Sequence, residues 1–562
     1  MINNDMRRVL LWSVFAFSLL MLWDGWLRHT GQPSLFAPTP AAPAQAASGP
    51  APDATVPQAG STLAGNAPAG ATPAGTGGAT PARGELITLT TDVLKVTVDT
   101  LGGSLVRAEL LQHRASGGQE GNMVLFDRSG AKTYVAQSGL IHSTPGGVPT
   151  HLTPFTVQST ERALADGADA LVLKLASEPV GGVQLVRTYT FQRGSYVVGV
   201  QQEVVNQSEQ AISPQLYVQL VRDGSLIHEG PDVWGAPQSY TGPAFYTEES
   251  KFRKVEFTSI DKNEADFQKT ADNGWVAMVQ HYFTAAWLNT DKMPREFFAR
   301  RVEGSNLYAV GMLFPVGEVA AGGSKTLAAQ LYVGPQEENK LSALAPGLEL
   351  VKDYGWTHLL AKPLFWLLDK IHGVVGNWGW AIVLLVVLLK AAFYGLNASA
   401  YRSMAKMKAL NPRIQALRES LKDNPQQMQQ EMLKIYREEK VNPIGGCLPI
   451  LIQIPVFIAL YWVLLSSVEM RAAPWVGWIT DLSVKDPYYV LPLLMTASTL
   501  LQTWLNPTPP DPLQAKLMWI MPLMFSVLFF FFPAGLVLYW LTNNLLSIAQ
   551  QWYINRSLGV QN

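Results

Sequence analysis

The chain alternates between long apolar stretches and mixed polar sequence. Apolar runs, most of them about 18 residues or longer and so long enough to cross a bilayer as helices, occur at Val9–Leu27, Trp378–Leu396, Ile444–Val468, Tyr488–Leu505, Leu517–Phe532 and Gly535–Tyr553. Between the first and second runs the pattern changes to period two. Leu94-Lys95-Val96-Thr97-Val98 alternates, as does Val183–Phe191, and Tyr196–Val205 and Leu216–Val221 read as further strands. Clusters of Gly, Pro, Asn and Asp separate them, so residues 85–336 predict a large β-sandwich. The predicted fold is a multi-pass α-helical membrane protein with six transmembrane helices and this β-sandwich on one side of the membrane.

Finer divisions follow from local signals. Residues 1–30 read as a signal anchor: Arg7 and Arg8 precede a long apolar core, and no small-x-small cleavage site precedes Trp23-Asp24-Gly25-Trp26. Residues 31–84 are mostly Pro, Ala, Gly, Thr and Ser. Such a segment buries too little apolar surface to offset its ordering entropy and predicts a disordered linker. Residues 341–377 combine helical spacing with a polar face and predict an amphipathic helix at the outer interface, interrupted at Pro363. A linker helix packed on the β domain is the alternative. The later spans are 378–396, 442–468, 488–505, 517–532 and 535–553. They are joined by 397–441, 469–487 and 506–516, and a short tail, 554–562, follows. Segment 397–441 divides at Lys422-Asp423-Asn424-Pro425 into two helices, Ser399–Leu421 and Gln426–Lys440.

Charge orients this arrangement. The segment 397–441 carries Arg402, Lys406, Lys408, Arg413, Arg418, Lys422, Lys434, Arg437 and Lys440, whereas the next loop has only Arg471 and Lys485. The basic segment is therefore cytoplasmic, both termini are cytoplasmic, and 28–377 lies outside. The 562 residues are 48% hydrophobic and 15% charged with a net charge of -1, which excludes nucleic-acid binding by bulk charge. The single cysteine, Cys447, leaves the β domain without a disulfide. There is no Walker A loop, HExxH or paired CxxC, and His113, His142, His151, His228 and His281 have no ligand-like spacing.

Lys390 is the residue that apolar patterning does not explain. A lysine within a span costs about 2.5–3.5 kcal/mol unless water or a partner meets it. Gln453, Asn543 and Asn544 fall at comparable depths on other spans, and Pro449, Pro455, Pro492 and Pro522 interrupt helical hydrogen bonding. Together they suggest a hydrated cavity open to the cytoplasm. Snorkelling of Lys390 to the headgroups, and interhelical hydrogen bonding by the amides, remain open as alternatives.

Several stretches resemble one family. Val441-Asn-Pro-Ile-Gly-Gly-Cys-Leu-Pro449, Ile452-Gln-Ile-Pro455, Asp486-Pro-Tyr-Tyr-Val-Leu-Pro492, Phe532-Pro-Ala-Gly-Leu-Val-Leu-Tyr539 and Tyr401-Arg-Ser-Met-Ala-Lys406 look like the signature of YidC membrane-protein insertases, a family shared with mitochondria and chloroplasts. The resemblance implies a five-helix insertase core over roughly 355–555. The signal anchor, linker and periplasmic β-sandwich match the Gram-negative inner-membrane form. It further implies a cytoplasm-open groove with one basic residue, usually Arg, here Lys390. Gln453, Asn543, Asn544, Tyr394 and Trp540 would supply the groove's polar and aromatic contacts. Gly395 stands where Pro is expected, and Trp540 where Tyr is common.

The implied activity is that of an insertase and chaperone, alone or with the Sec translocon, with no enzymatic step and no cofactor. A substrate's polar tail would be drawn toward Lys390 while its apolar helix slides into lipid past Ile454, Pro455, Phe457, Met521 and Phe525. Nascent chains or the ribosome would meet Arg402, Lys406, Lys408, Arg413 and Arg418, although basic loops also arise from orientation alone. The tail lacks a long basic extension, and accessory subunits of the translocon would contact the β domain. Two other classes compete: a small-molecule transporter with a buried basic site, which should show inverted repeats, and a membrane-anchored periplasmic carbohydrate-binding protein, which as an enzyme would need a convergent acid/base pair in a β-domain cleft.

Overall fold

The computed structural model describes residues 56–57, 84–115, 120–129, 132–142, 147–225, 239–289, 291–421, 424–439, 448–506 and 512–557. The predicted signal anchor and Cys447 lie outside them. In Val183–Gln192 the alternation sends Val183, Leu185, Arg187, Tyr189 and Phe191 into the interior and their neighbours outward. Repeated along many strands, this builds two nine-stranded antiparallel sheets. From edge to edge the first runs Leu86–Thr90, Leu94–Asp99, Ser104–Arg114, Asn122–Ser129, Lys132–Ile141, Gln215–Asp223, Leu307–Pro315, Arg295–Arg301, Thr270–Ala271. The second runs Lys251–Lys254, Gly242–Thr247, Trp275–Val279, Phe283–Leu288, Ser324–Pro335, Val197–Asn206, Val183–Gln192, Ala170–Ser177, Phe155–Val157. One apolar core joins both sheets, as the sequence pattern predicts.

Arg187 occupies an inward position of the second sheet and is wholly buried. Its guanidinium donates to the carbonyls of Gly102 (2.7 Å), Gly103 (3.0 Å) and Ser138 (2.8 Å), and to Gln202 Oε1 (3.2 Å). Ser138 belongs to the first sheet, so one cation bolts the two layers together through neutral acceptors. A buried charge is tolerated when its donors are met in this way.

A short helix, α1 (Phe257–Asp261), packs on the sandwich and sends Phe257 and Ile260 into its core. The chain then leaves through α2 (Glu338–Leu344), a 3-10 turn at Leu348–Val351 and a second at Gly355–Thr357. It enters α3 (His358–Val375). The single amphipathic helix predicted over 341–377 is therefore broken, and not where expected. Pro363 sits inside α3, past its first turn, where it removes one intrahelical hydrogen bond without ending the helix. The breaks fall instead around Gly347 and Gly355, both at positive φ. α3 buries Ala361, Phe365 and Leu368 and exposes Leu359, Trp366 and Val374.

The remaining helices are α4 (Trp378–Ala392), α5 (Tyr394–Ser420), α6 (Pro425–Glu438), α7 (Leu448–Ser466), α8 (Val490–Leu505), α9 (Pro512–Leu528) and α10 (Ala534–Ser557). Asn377 caps α4 by accepting from Trp380 N, and Asn424 caps α6 by accepting from Gln427 N. Among the described residues no single helix is long and apolar enough to cross a membrane. The pair Trp378–Ala392 and Tyr394–Ser403, bent by 66°, passes together. The span predicted as 378–396 thus ends at a bend, and Lys390 lies in its last turn.

A second core, formed by α3, α4, α7, α8 and α10, is tied to the β domain by the loop after α7. Val468 enters the β-domain core. Beside it, Lys352 Nζ lies 3.1 Å from Glu469 Oε2 and 3.6 Å from the Phe365 ring centre, with no exposed side-chain surface on Lys352. Arg471 donates to the carbonyl of Arg114 (2.8 Å), and His281 Nε2 meets the carbonyl of Leu465 at 2.9 Å. The linker predicted over 31–84 falls outside the described residues except at Gly84 and at Val56 and Pro57, which lie against the first sheet.

Candidate functional site: the groove around Lys390

Three helices bring polar side chains to one place. Lys390, near the C-terminal end of α4, turns inward and its Nζ donates to Ser547 Oγ on α10 at 2.7 Å. Ser547 Oγ donates in turn to the carbonyl of Asn543, one turn earlier (2.7 Å). Gln453 Nε2 of α7 donates to Asn543 Oδ1. Lys390, Gln453 and Asn543 line one cavity with Asn397, Tyr539 and the apolar Val386, Leu389 and Val456. Its volume, about 30 Å³, exceeds the roughly 10–15 Å³ that one water requires. The site is narrow, polar on one wall and roomy enough for water.

Not every predicted contact reaches this cavity. Consecutive helical residues point about 100° apart, so Asn543 and Asn544 cannot share a partner. Asn544 faces α8, where its Nδ2 donates to Thr499 Oγ1 (2.9 Å) and lies 3.3 Å from Ser498 Oγ. It joins two helices and is not a groove residue. The same step separates Tyr539, which lines the cavity, from Trp540, which packs edge-on against Phe457 at 4.3 Å. Tyr394 follows the bend and is exposed, while Phe393 lines the cavity in its place. Ser547, Asn397 and Tyr539 were missed in the sequence. Ser547 stands four residues after Asn543, a spacing that puts both on one face and was available as a signal.

Beside the cavity an apolar surface faces outward. Ile454 of α7 is exposed, Pro455 and Phe457 are half-buried, and Met521 and Phe525 of α9 are exposed. Leu517, Ile520, Leu523, Met524 and Val527 are exposed too, so α9 shows apolar side chains around most of its circumference. Such a helix needs an apolar solvent.

On α5, Arg402 and Lys406 are exposed. Arg413 is exposed but paired, 3.2 Å from Glu439 and 3.9 Å from Glu438, so its charge is largely neutralised within the helical pair. The side chains of Lys408 and Arg418 lie outside the described residues. Among the described residues no cluster of His, Cys, Asp and Glu could hold a metal ion.

Comparison with known proteins places the whole chain. Residues 86–367 match the family model of the YidC periplasmic domain, and residues 370–561 match that of the 60Kd inner membrane protein. The membrane protein insertase YidC of Cupriavidus necator is 52% identical over 556 residues, covering 99% of this chain and 98% of the relative. That of Ralstonia nicotianae is 51% identical over 555 residues, with the same coverage. A crystal structure of an active YidC insertase with its first transmembrane domain resolved is 20% identical, with a TM-score of 0.40, covering 83% of this chain and 92% of that one. At such identity over nearly the full length, the chain belongs to the YidC family of membrane protein insertases: it is an inner-membrane insertase with a periplasmic β-sandwich domain, and not an enzyme.

Proposed function

We propose that this insertase carries the polar end of its substrate through the groove between α4, α7 and α10, open to the cytoplasm, with Lys390 as its working charge. The observation that supports this most is the inward turn of the lysine. Its ammonium meets the neutral hydroxyl of Ser547, and no carboxylate among the described residues pairs with it. A cation held by neutral dipoles keeps its field. A substrate carboxylate at 4 Å gains about 4 kcal/mol at an effective dielectric of 20, which offsets part of the cost of taking a polar tail out of bulk water. Lysine lacks the planar fork of arginine, so it attracts acidic tails of varied geometry without selecting one.

The substrate's apolar helix leaves sideways into lipid past Ile454, Met521 and Phe525, with Pro455 and Phe457 behind them. Burial of about 20 apolar residues supplies the driving force. In this reading six helices span the membrane, with Val9–Leu27 as the first and both termini cytoplasmic. Arg402 and Lys406 receive the nascent chain or the ribosome, and the β domain meets the Sec translocon and its accessory subunits. The test is reconstitution of purified protein in liposomes with a single-span substrate, read by protease protection of the translocated tail. Wild type and Lys390→Arg protect acidic tails and Lys390→Ala protects them poorly. Equal protection by Lys390→Ala overturns the proposal.

A further inference from the structure

Val56 and Pro57 lie in the middle of the Pro- and Ala-rich linker, yet they are seated on the outer face of the first sheet. Val56 packs against Ile141, Tyr217 and Leu313 with Phe298 beside them, and Pro57 is buried. Two glycines make that floor. Register places Gly139 and Leu313 on either side of Tyr217, and Gly311 opposite Phe298. A Cβ on Gly139 would come 2.6 Å from Tyr217 Oη, and one on Gly311 would come 2.6 Å from Phe298 Cζ. The rings therefore lie across the glycines and present apolar faces outward. His151 Nδ1 fixes the Tyr217 hydroxyl at 2.6 Å.

We propose that Val56–Pro57 is a clasp that fastens the linker to this face. Proline restricts its predecessor to extended backbone, so Val56 is presented to the floor with little further loss of entropy. Leu313 also walls a groove of about 470 Å³ that includes Gln215, Arg295 and Pro315. The occupant is this chain's own linker. The clasp divides the tether between Leu27 and Leu86 near its middle. The composition of such a linker predicts coil scaling of about 5–6 Å times the square root of its length, so halving the free length shortens the span by about a third. It also raises the local concentration of the first apolar stretch near the β domain about threefold. The inference does not depend on the role of Lys390.

The test uses the full chain in membranes, in a Cys447→Ser background, with paired cysteines and mild oxidant. Val56→Cys with Leu313→Cys should cross-link at least about tenfold faster than Val56→Cys with Val172→Cys, which places the second thiol at an exposed site on the other sheet. Pro57→Gly should narrow that difference. Val56→Cys with Ile141→Cys repeats the measurement should Leu313→Cys fail to fold. Equal rates for the near and far pairs, or cross-links running between two copies of the chain, overturn the clasp.

Discussion

The ammonium of Lys390 and the hydroxyl of Ser547 are 2.7 Å apart, joining the bend after α4 to the middle of α10. Snorkelling would have sent the same side chain along its own helix toward the headgroups. The hydroxyl accepts from the lysine while donating to the Asn543 carbonyl, so its orientation is set from both sides. In the proposed mechanism Ser547 is thus a positioning residue for Lys390. Ser547→Ala should lower insertion of acidic-tailed substrates severalfold and leave neutral-tailed ones near wild type, and Ser547→Thr should restore the acidic ones. Protease protection of matched tails measures this. An equal loss for both tails would indicate structural damage only.

At the junction of the two domains, Lys352 is enclosed by Glu469 and the Phe365 ring. Removing one partner of such a pair leaves a buried charge unmatched, which costs about 3–5 kcal/mol. Lys352→Met alone should therefore loosen the loop after α7, read as faster hydrogen exchange at Val468–Met470. The double substitution Lys352→Met with Glu469→Gln should recover most of the protection. If the single and double variants exchange alike, the pair does not fasten the junction.

Two histidines of the β domain make its stability depend on pH. Burial lowers His113 to about 4, with Arg471 and Lys340 pushing the same way against Glu337. Burial likewise lowers His151 to about 3, helped by Arg187 and Arg300. Between about pH 6.5 and 4 the unfolded chain binds protons that the folded chain does not. Stability therefore falls as pH falls through that window, by up to about 1.4 kcal/mol per pH unit for each histidine. The melting temperature should drop from pH 7 to 4.5, and His113→Gln should reduce the slope. An unchanged slope would remove His113 from the account.

Periodicity made the β-sandwich legible, because each strand must sort its side chains between core and solvent. The family was legible in short motifs around Cys447, Asp486 and Tyr539. Local breaks were not. Gly347 and Gly355, both at positive φ, interrupt the chain before α3, whereas Pro363 is carried within that helix. The cavity was legible only as far as depth along a helix allows. Depth put Lys390, Gln453, Asn543 and Asn544 at one level, but rotation decides which face a residue takes, and it sends Asn544 to α8 and Trp540 to Phe457. The seat for Val56 was hidden because its floor comes from strands far apart in sequence.

The measurement closest to the central claim is charge reversal at the groove. Lys390→Glu should be compared with wild type on two substrates that differ only in tail charge, one acidic and one basic, in the same liposomes. The account predicts that wild type favours the acidic tail and that Lys390→Glu favours the basic one. An unchanged order of preference in the variant would contradict it.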